Sequence, residues 1–173
     1  MTQTQNIPAL NASRRAFLLG STGAALAIAA CGADPVQAAD RYAASPYRKL
    51  SDADWRARLP GQSYGILRHE NTETPGTSPL LGEHRKGNFV CLGCGLPMFS
   101  AAWKFESGTG WPSFWTVYKA NVATKSDHGL LEERTEYHCA QCLGHQGHVF
   151  NDGPRPTGLR YCNNGASLRF VPG

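Results

Sequence analysis

The chain has 173 residues, 41% hydrophobic and 17% charged, with 19 glycines, 11 prolines and a formal net charge of +4. That length suits one domain with a tail, and the composition excludes global disorder. The charge is mild and scattered, without a dense Lys/Arg run or a basic helix face, so nucleic acid is not an expected partner.

Residues 1–40 read as a targeting segment and linker. A polar start leads to Ser13-Arg14-Arg15-Ala16-Phe17-Leu18, and an uncharged Ala/Gly-rich stretch runs from Ala16 to Ala33. This resembles a bacterial twin-arginine (Tat) signal, which export machinery reads as an address, and it implies a periplasmic or exported protein. Processing is expected after Val36-Gln37-Ala38. Ile28-Ala29-Ala30-Cys31 offers a lipoprotein box instead, with a lipid anchor through Cys31. The bland alternative is an N-terminal buried helix.

The folded domain is expected over 41–173. After a linker, Ser51 is a good N-cap with Asp54 at the capping-box position, and Leu59-Pro60-Gly61 ends that short helix. Gln62 to Arg68 reads as a second helical piece with Tyr64 and Leu67 inward. Trp55 and Leu59 form an i,i+4 core pair, and Trp103 and Trp115 are also taken as core. Asn71 to Gly87 is a Thr/Pro/Gly loop. From Phe89 onward the signals are strands and tight turns. Strands are expected over Val117 to Lys125 and Leu131 to His138 around an Asp127-His128-Gly129 turn, then over Leu159 to Cys162 and Ala166 to Val171. His145 to Phe150 reads as a polar run. The fold class is thus loop-rich and mainly β, behind short N-terminal helices.

Two CxxC steps, Cys91/Cys94 and Cys139/Cys142, predict a metal site. Thiolates three apart on a tight turn face one ion, and two such turns close a tetrahedral four-sulfur site suited to one structural Zn²⁺. The competing reading is a redox disulfide, since an exported chain can hold one. Loading the metal in a reducing cytoplasm, before Tat export of the folded domain, would protect these thiolates.

Cys162 has no partner. A buried, inert thiol is the plain alternative. Its neighbours favour chemistry: Arg160, two residues away, faces the same side of a strand and favours a thiolate, and Asn164 offers an amide donor on that side. His145 and His148 form an H-x-x-H step. They are open to three readings: a metal half-site, ordinary strand polars, or donors to a reacting oxygen near neutral pH. Trp111, between Gly110 and Pro112, suits the wall of a small apolar pocket.

S-G-T-G-W-P-S-F, the two CxxC knuckles, G-H-x-G-H-V-F-x-D-G-P and R-Y-C-x-N-x-A-S-L-R-F occur in one order, from about Tyr47 to Pro172. In this the chain resembles the methionine-R-sulfoxide reductases, the MsrB family. The resemblance implies a domain of two small antiparallel sheets with a structural zinc site. It implies reduction of methionine-R-sulfoxide, mainly in oxidised proteins, as oxidative-damage repair. Cys162 matches the nucleophile, and Trp111 and Phe150 match the substrate pocket. His145, His148, Arg160 and Asn164 match the groups that activate the thiol or protonate the sulfoxide oxygen. Thr109 stands where many members carry a resolving cysteine, so an external, thioredoxin-like thiol is expected to recycle a monomeric enzyme. Asn163 stands where an aliphatic residue is usual and Gly165 where Ser is usual. A non-catalytic zinc-ribbon-like binding module is the alternative.

Overall fold

The structure, a computed structural model, describes residues 41–128 and 133–173. The Tat-type segment with Cys31, and the Gly129 to Leu131 part of the expected hairpin, lie outside those residues. Helix α1 (Asp52–Arg58) starts as the sequence predicts. Ser51 Oγ accepts the Asp54 N–H, and the Asp54 carboxylate accepts the Ser51 N–H at 2.8 Å. Helix α2 (Gly61–His69) follows after Pro60 and ends at Glu70, which takes a left-handed conformation. Trp55, Leu59, Tyr64, Ile66 and Leu67 are all buried.

Among the described residues nine strands follow: β1 (Gly87–Cys91), β2 (Pro97–Ser100), β3 (Lys104–Phe105), β4 (Ser113–Phe114), β5 (Val122–Asp127), β6 (Arg134–Cys139), β7 (His145–Phe150), β8 (Arg160–Asn163) and β9 (Leu168–Pro172). They form two sheets, ordered β2-β1-β9 and β3-β4-β8-β7-β6-β5, and every pairing is antiparallel. Aromatic rings from both sheets make the core. Phe99 of β2 stacks on Phe114 of β4 at 4.0 Å, and Phe89 of β1 meets Phe114 edge-on at 5.0 Å.

Four expectations shift. β5 begins at Val122, because Lys119–Asn121 forms a 3-10 turn in which the Asn121 N–H donates to Tyr118 O. Gly165–Ser167 forms another such turn ahead of β9. The polar run His145–Phe150 is a central strand, paired between β6 and β8, with His145, Gln146 and Gly147 buried. Trp103 and Trp115 are half-buried; they pack edge-on against each other at 6.2 Å, not inside the core.

Candidate active site and metal centre

The two CxxC turns close in the same way. The Gly95 N–H donates to Cys91 O and the Leu143 N–H to Cys139 O, while the Cys91 N–H donates to Leu96 O and the Cys139 N–H to Gly144 O. The residue after each second cysteine, Gly95 or Leu143, has a positive φ (78° and 60°) that turns the chain back. Cys91 thereby ends one strand of the three-stranded sheet, and Cys139 ends one strand of the six-stranded sheet.

The four sulfurs converge. Cys91 and Cys142 Sγ lie 3.6 Å apart, Cys94 and Cys139 Sγ 3.5 Å apart, and all four fall within 4.8 Å of one another. A tetrahedral ion with metal–sulfur bonds of about 2.3 Å places its sulfurs about 3.8 Å apart, so the cage fits one ion and leaves no open position. The donor chemistry fits too. Contacts among the thiols push Cys91 and Cys139 well up, with burial adding to both, and draw Cys142 down against burial; the four crowded sulfurs compete for negative charge, and a cation among them would let all four carry it. Gln146 Nε2 donates to Cys91 Sγ at 3.4 Å.

Cys162 stands apart. It lies on β8 between β4 and β7, directly opposite Ser113 and His148; His148 in turn faces Glu136 on β6, and Glu136 faces Lys125 on β5. Cross-strand partners point to one face, so Lys125, Glu136, His148, Cys162 and Ser113 form a single row across the sheet. The close approach of β7 and β8 depends on Gly147: a Cβ there would lie 1.9 Å from Cys162 O.

The thiol opens into a cavity of about 110 Å³, lined by Trp111, His148, Phe150, Cys162, Asn163 and Asn164 together with Thr72, Arg134 and Gly147. Trp111 is clamped by its Nε1, which donates to Glu73 O at 2.9 Å. Asn164 Oδ1 accepts the Glu73 N–H at 2.8 Å and its Nδ2 donates to Gln146 O at 3.1 Å, so this amide ties the pocket walls together. Arg160 lies over the Phe150 ring at 4.3 Å and grips Asp152 with two bonds of 2.8 Å.

Of the expected site residues, Trp111, His148, Phe150, Cys162 and Asn164 line this pocket. His145 lies next to it, lining an adjoining cavity with Glu136 and His148. Arg160 reaches Cys162 from the side. The expected lowering of the Cys162 thiol is overturned: burial pushes it up, outweighing the Arg160 charge and hydrogen bonds from Thr109 and Arg160. Burial also lowers His148, against its contact with Asp127 at 2.8 Å.

Several site contacts were not expected from the sequence, in which Thr109 stands out only as the residue in place of a resolving cysteine. Thr109 hydrogen-bonds Cys162 and belongs to a hydroxyl cluster with Ser107 and Ser113, at 2.8 and 2.7 Å. Asp152 sits within the quoted G-H-x-G-H-V-F-x-D-G-P motif and was findable there. Thr72, Glu73, Arg134 and Glu136 carry no local signal, because tertiary pairing alone brings them in. Both departures beside Cys162 are explained. Asn163 is fully buried; it accepts from Tyr137 Oη at 2.7 Å and donates to Asn164 O and Ser167 Oγ at 2.7 and 3.1 Å. Gly165 leaves room for Ser78: a Cβ at Gly165 would lie 1.8 Å from Ser78 Oγ, and the Gly165 N–H donates to Glu73 Oε2 at 2.7 Å.

A lone thiol in a small aromatic-walled pocket, in a β domain stapled by four other cysteines, defines a thiol-dependent oxidoreductase. Comparison with known proteins narrows the class. Residues 59–172 match the SelR domain. A peptide methionine sulfoxide reductase MsrB of Leptospira interrogans is 53% identical over 123 residues, covering 69% of this chain and 92% of that protein. Proteins of the same name from Thiobacillus denitrificans and Agrobacterium fabrum are 49% and 48% identical, over 70% and 74% of this chain and 93% and 96% of theirs. The chain belongs to the SelR-domain family, that of the MsrB reductases.

Proposed function

We propose that this chain reduces methionine-R-sulfoxide, mainly in oxidised proteins, to methionine. The observation that carries the reading is Cys162. Among the described cysteines it is the one outside the four-sulfur cage, and it forms the floor of the pocket that Trp111 and Phe150 wall. The substrate methyl rests against Trp111. The sulfoxide oxygen turns to the polar side, where His148 and Asn164 line the pocket and His145 lies behind.

The chemistry balances. The Cys162 thiolate attacks the sulfoxide sulfur as a proton reaches its oxygen, and the transient sulfur–sulfur bond then breaks as the hydroxyl passes to the Cys162 sulfur, its bonding pair staying on the methionine sulfur. The oxygen ends on Cys162 as a sulfenic acid, Cys162 sulfur is oxidised by two electrons, and methionine leaves. Arg160 and the Thr109 hydroxyl support the thiolate against burial. Two equivalents of an external thiol then return Cys162 to the thiol, with release of water and a disulfide.

The metal of the cage is Zn²⁺, held by Cys91, Cys94, Cys139 and Cys142. It supplies structural charge balance and no chemistry at Cys162. We place the enzyme outside the cytoplasm, directed by residues 1–40 through the Tat route, with the domain over 41–173 acting as a monomer. Lipid attachment at Cys31 is the alternative to release.

The test gives the zinc-loaded protein dithiothreitol and separated R and S epimers of a methionine-sulfoxide peptide. Turnover of R alone, lost in Cys162→Ser, is expected. Equal use of both epimers, or activity in the mutant, would sink the reading. A sulfenic-acid reagent should label Cys162 after one turnover; an internal Cys162 disulfide would refute external recycling.

A further inference from the structure

Beside the thiol pocket lies a second cavity of about 310 Å³. It shares Thr72, Arg134 and His148 with the first and adds Glu70, Asp127, Glu136 and His145. Its walls are charged where those of the thiol pocket are largely apolar. His145 is 2% exposed, and neither of its ring nitrogens has an aligned hydrogen-bond partner among the described residues. Its Nδ1 nevertheless lies 3.0 Å from Glu136 Oε1, within reach but off the best line. A buried imidazole facing a polar cavity calls for a partner inside that cavity.

Glu136 is itself buried, and no step described so far uses it. Its other oxygen meets Lys125 Nζ at 2.9 Å, and Lys125 continues to Glu70 at 2.5 Å. His138 lies farther off, its Nδ1 3.9 Å from Glu136 Oε1. Register places Glu136 opposite both Lys125 and His148, in the row that ends at Cys162. A cation site is the poorer reading. Glu70 and Glu136 share Lys125, and Asp127 is paired with Arg134 at 2.6 Å. The cavity has room for several waters at about 30 Å³ each.

We propose that Glu136 is the positioning residue of a proton relay. It holds the His145 ring by Nδ1 and leaves Nε2, closed off at rest, to meet water when the side chains of the adjoining chamber, joined to the thiol pocket at His148, part. This rests on the sulfoxide-reductase reading. In each turnover the Cys162 thiol proton moves through that water to His145 Nε2, leaving a thiolate. The same proton returns to the sulfoxide oxygen as the sulfur–oxygen bond to Cys162 forms and that to the substrate breaks. The substrate sulfur takes the electron pair, and the proton ends on the Cys162 sulfenic acid. His145 keeps its Nδ1–H toward Glu136 throughout. Partners behind an active imidazole commonly fix its tautomer in this way.

The test uses the zinc-loaded full chain labelled with ¹⁵N, with His145 signals assigned through His145→Gln. Neutral His145 is expected to carry its proton on Nδ1; an Nε2–H tautomer overturns the proposal. Glu136→Leu removes the acceptor and is expected to lose that tautomer. It should cut kcat on the R-sulfoxide peptide at least tenfold, with KM within twofold. Glu136→Gln keeps an acceptor and is expected to retain the tautomer and kcat within threefold. Unchanged kcat in Glu136→Leu, or a loss that lies in KM, overturns the relay. If Glu136→Leu does not fold, the wild-type tautomer and the Gln variant decide. The tautomer readout needs no turnover, so it fails or stands apart from the sulfoxide reading.

Discussion

At the scale of single residues, Cys162 is held between opposing influences. Burial favours the neutral thiol, while Arg160 and Thr109 favour the thiolate. Burial prevails, so the resting thiol is protonated at neutral pH and becomes reactive as pH rises past the ordinary thiol value. Replacing Arg160 with Met removes a lowering influence and raises the thiol further. In zinc-loaded protein carrying Cys31→Ser, alkylation of Cys162 at pH 8 is then expected to slow at least threefold, with the rate–pH curve displaced upward. Superimposable curves would mean that Asp152 already cancels the guanidinium. Asn163 makes a second case. Replacing it with Val strands the buried Tyr137 hydroxyl, at a cost of about 1–3 kcal/mol. Tyr137→Phe added to Asn163→Val should recover much of that loss in urea unfolding, and purely additive losses would refute the pairing. The pocket's thiol and its aromatic wall were legible in the sequence because each sits in a distinctive local motif. The Tyr137–Asn163 bond was not, since 26 positions separate its partners and only strand pairing joins them.

At the scale of elements, the two CxxC turns share one hydrogen-bond pattern but differ in the residue that closes them. Gly95 takes its positive φ freely; Leu143 takes φ 60° against its side chain and leaves that side chain 45% exposed. Leu143→Gly relieves a left-handed cost of about 1–2 kcal/mol and adds part of it back as chain entropy. A net gain of about 0.5 kcal/mol is expected, read as a Tm increase of roughly 1–2 °C in the zinc-loaded protein. A lower Tm would show that the Leu143 side chain makes contacts that outweigh the strain. Helix α1 was legible to the residue, because a capping box is a local device. Strand ends were not: the turns Lys119–Asn121 and Gly165–Ser167 arise where loops must meet tertiary acceptors, and alternation of residue types does not report them. The polar strand β7 hid for a related reason. Its buried Gln146 meets Cys91 of β1 and Ser167 ahead of β9, and its His148 meets Asp127 of β5, so its sequence lacks an apolar face.

At the scale of the molecule, the four-cysteine cage pins the end of β1 in one sheet to the end of β6 in the other. A buried chain of polar groups runs from it toward the thiol. Tyr137 donates to Asn163, Asn163 to Ser167 Oγ at 3.1 Å, Ser167 Oγ lies 3.0 Å from Gln146 Oε1, and Gln146 donates to Cys91 Sγ. Partners just outside a metal's ligands typically change affinity by about 10–100-fold. Gln146→Leu is therefore expected to release zinc to a chromogenic chelator at least severalfold faster, with a lower Tm; identical release would remove Gln146 from the metal's surroundings. The size of the thiol pocket has a wider meaning. A cavity of about 110 Å³ admits a side chain, whereas an α-helix with its side chains is about 10 Å across. A damaged methionine packed inside a folded client can reach Cys162 only when that part of the client opens. Repair then selects clients by their own local stability, and its rate on a folded protein follows how often that protein breathes.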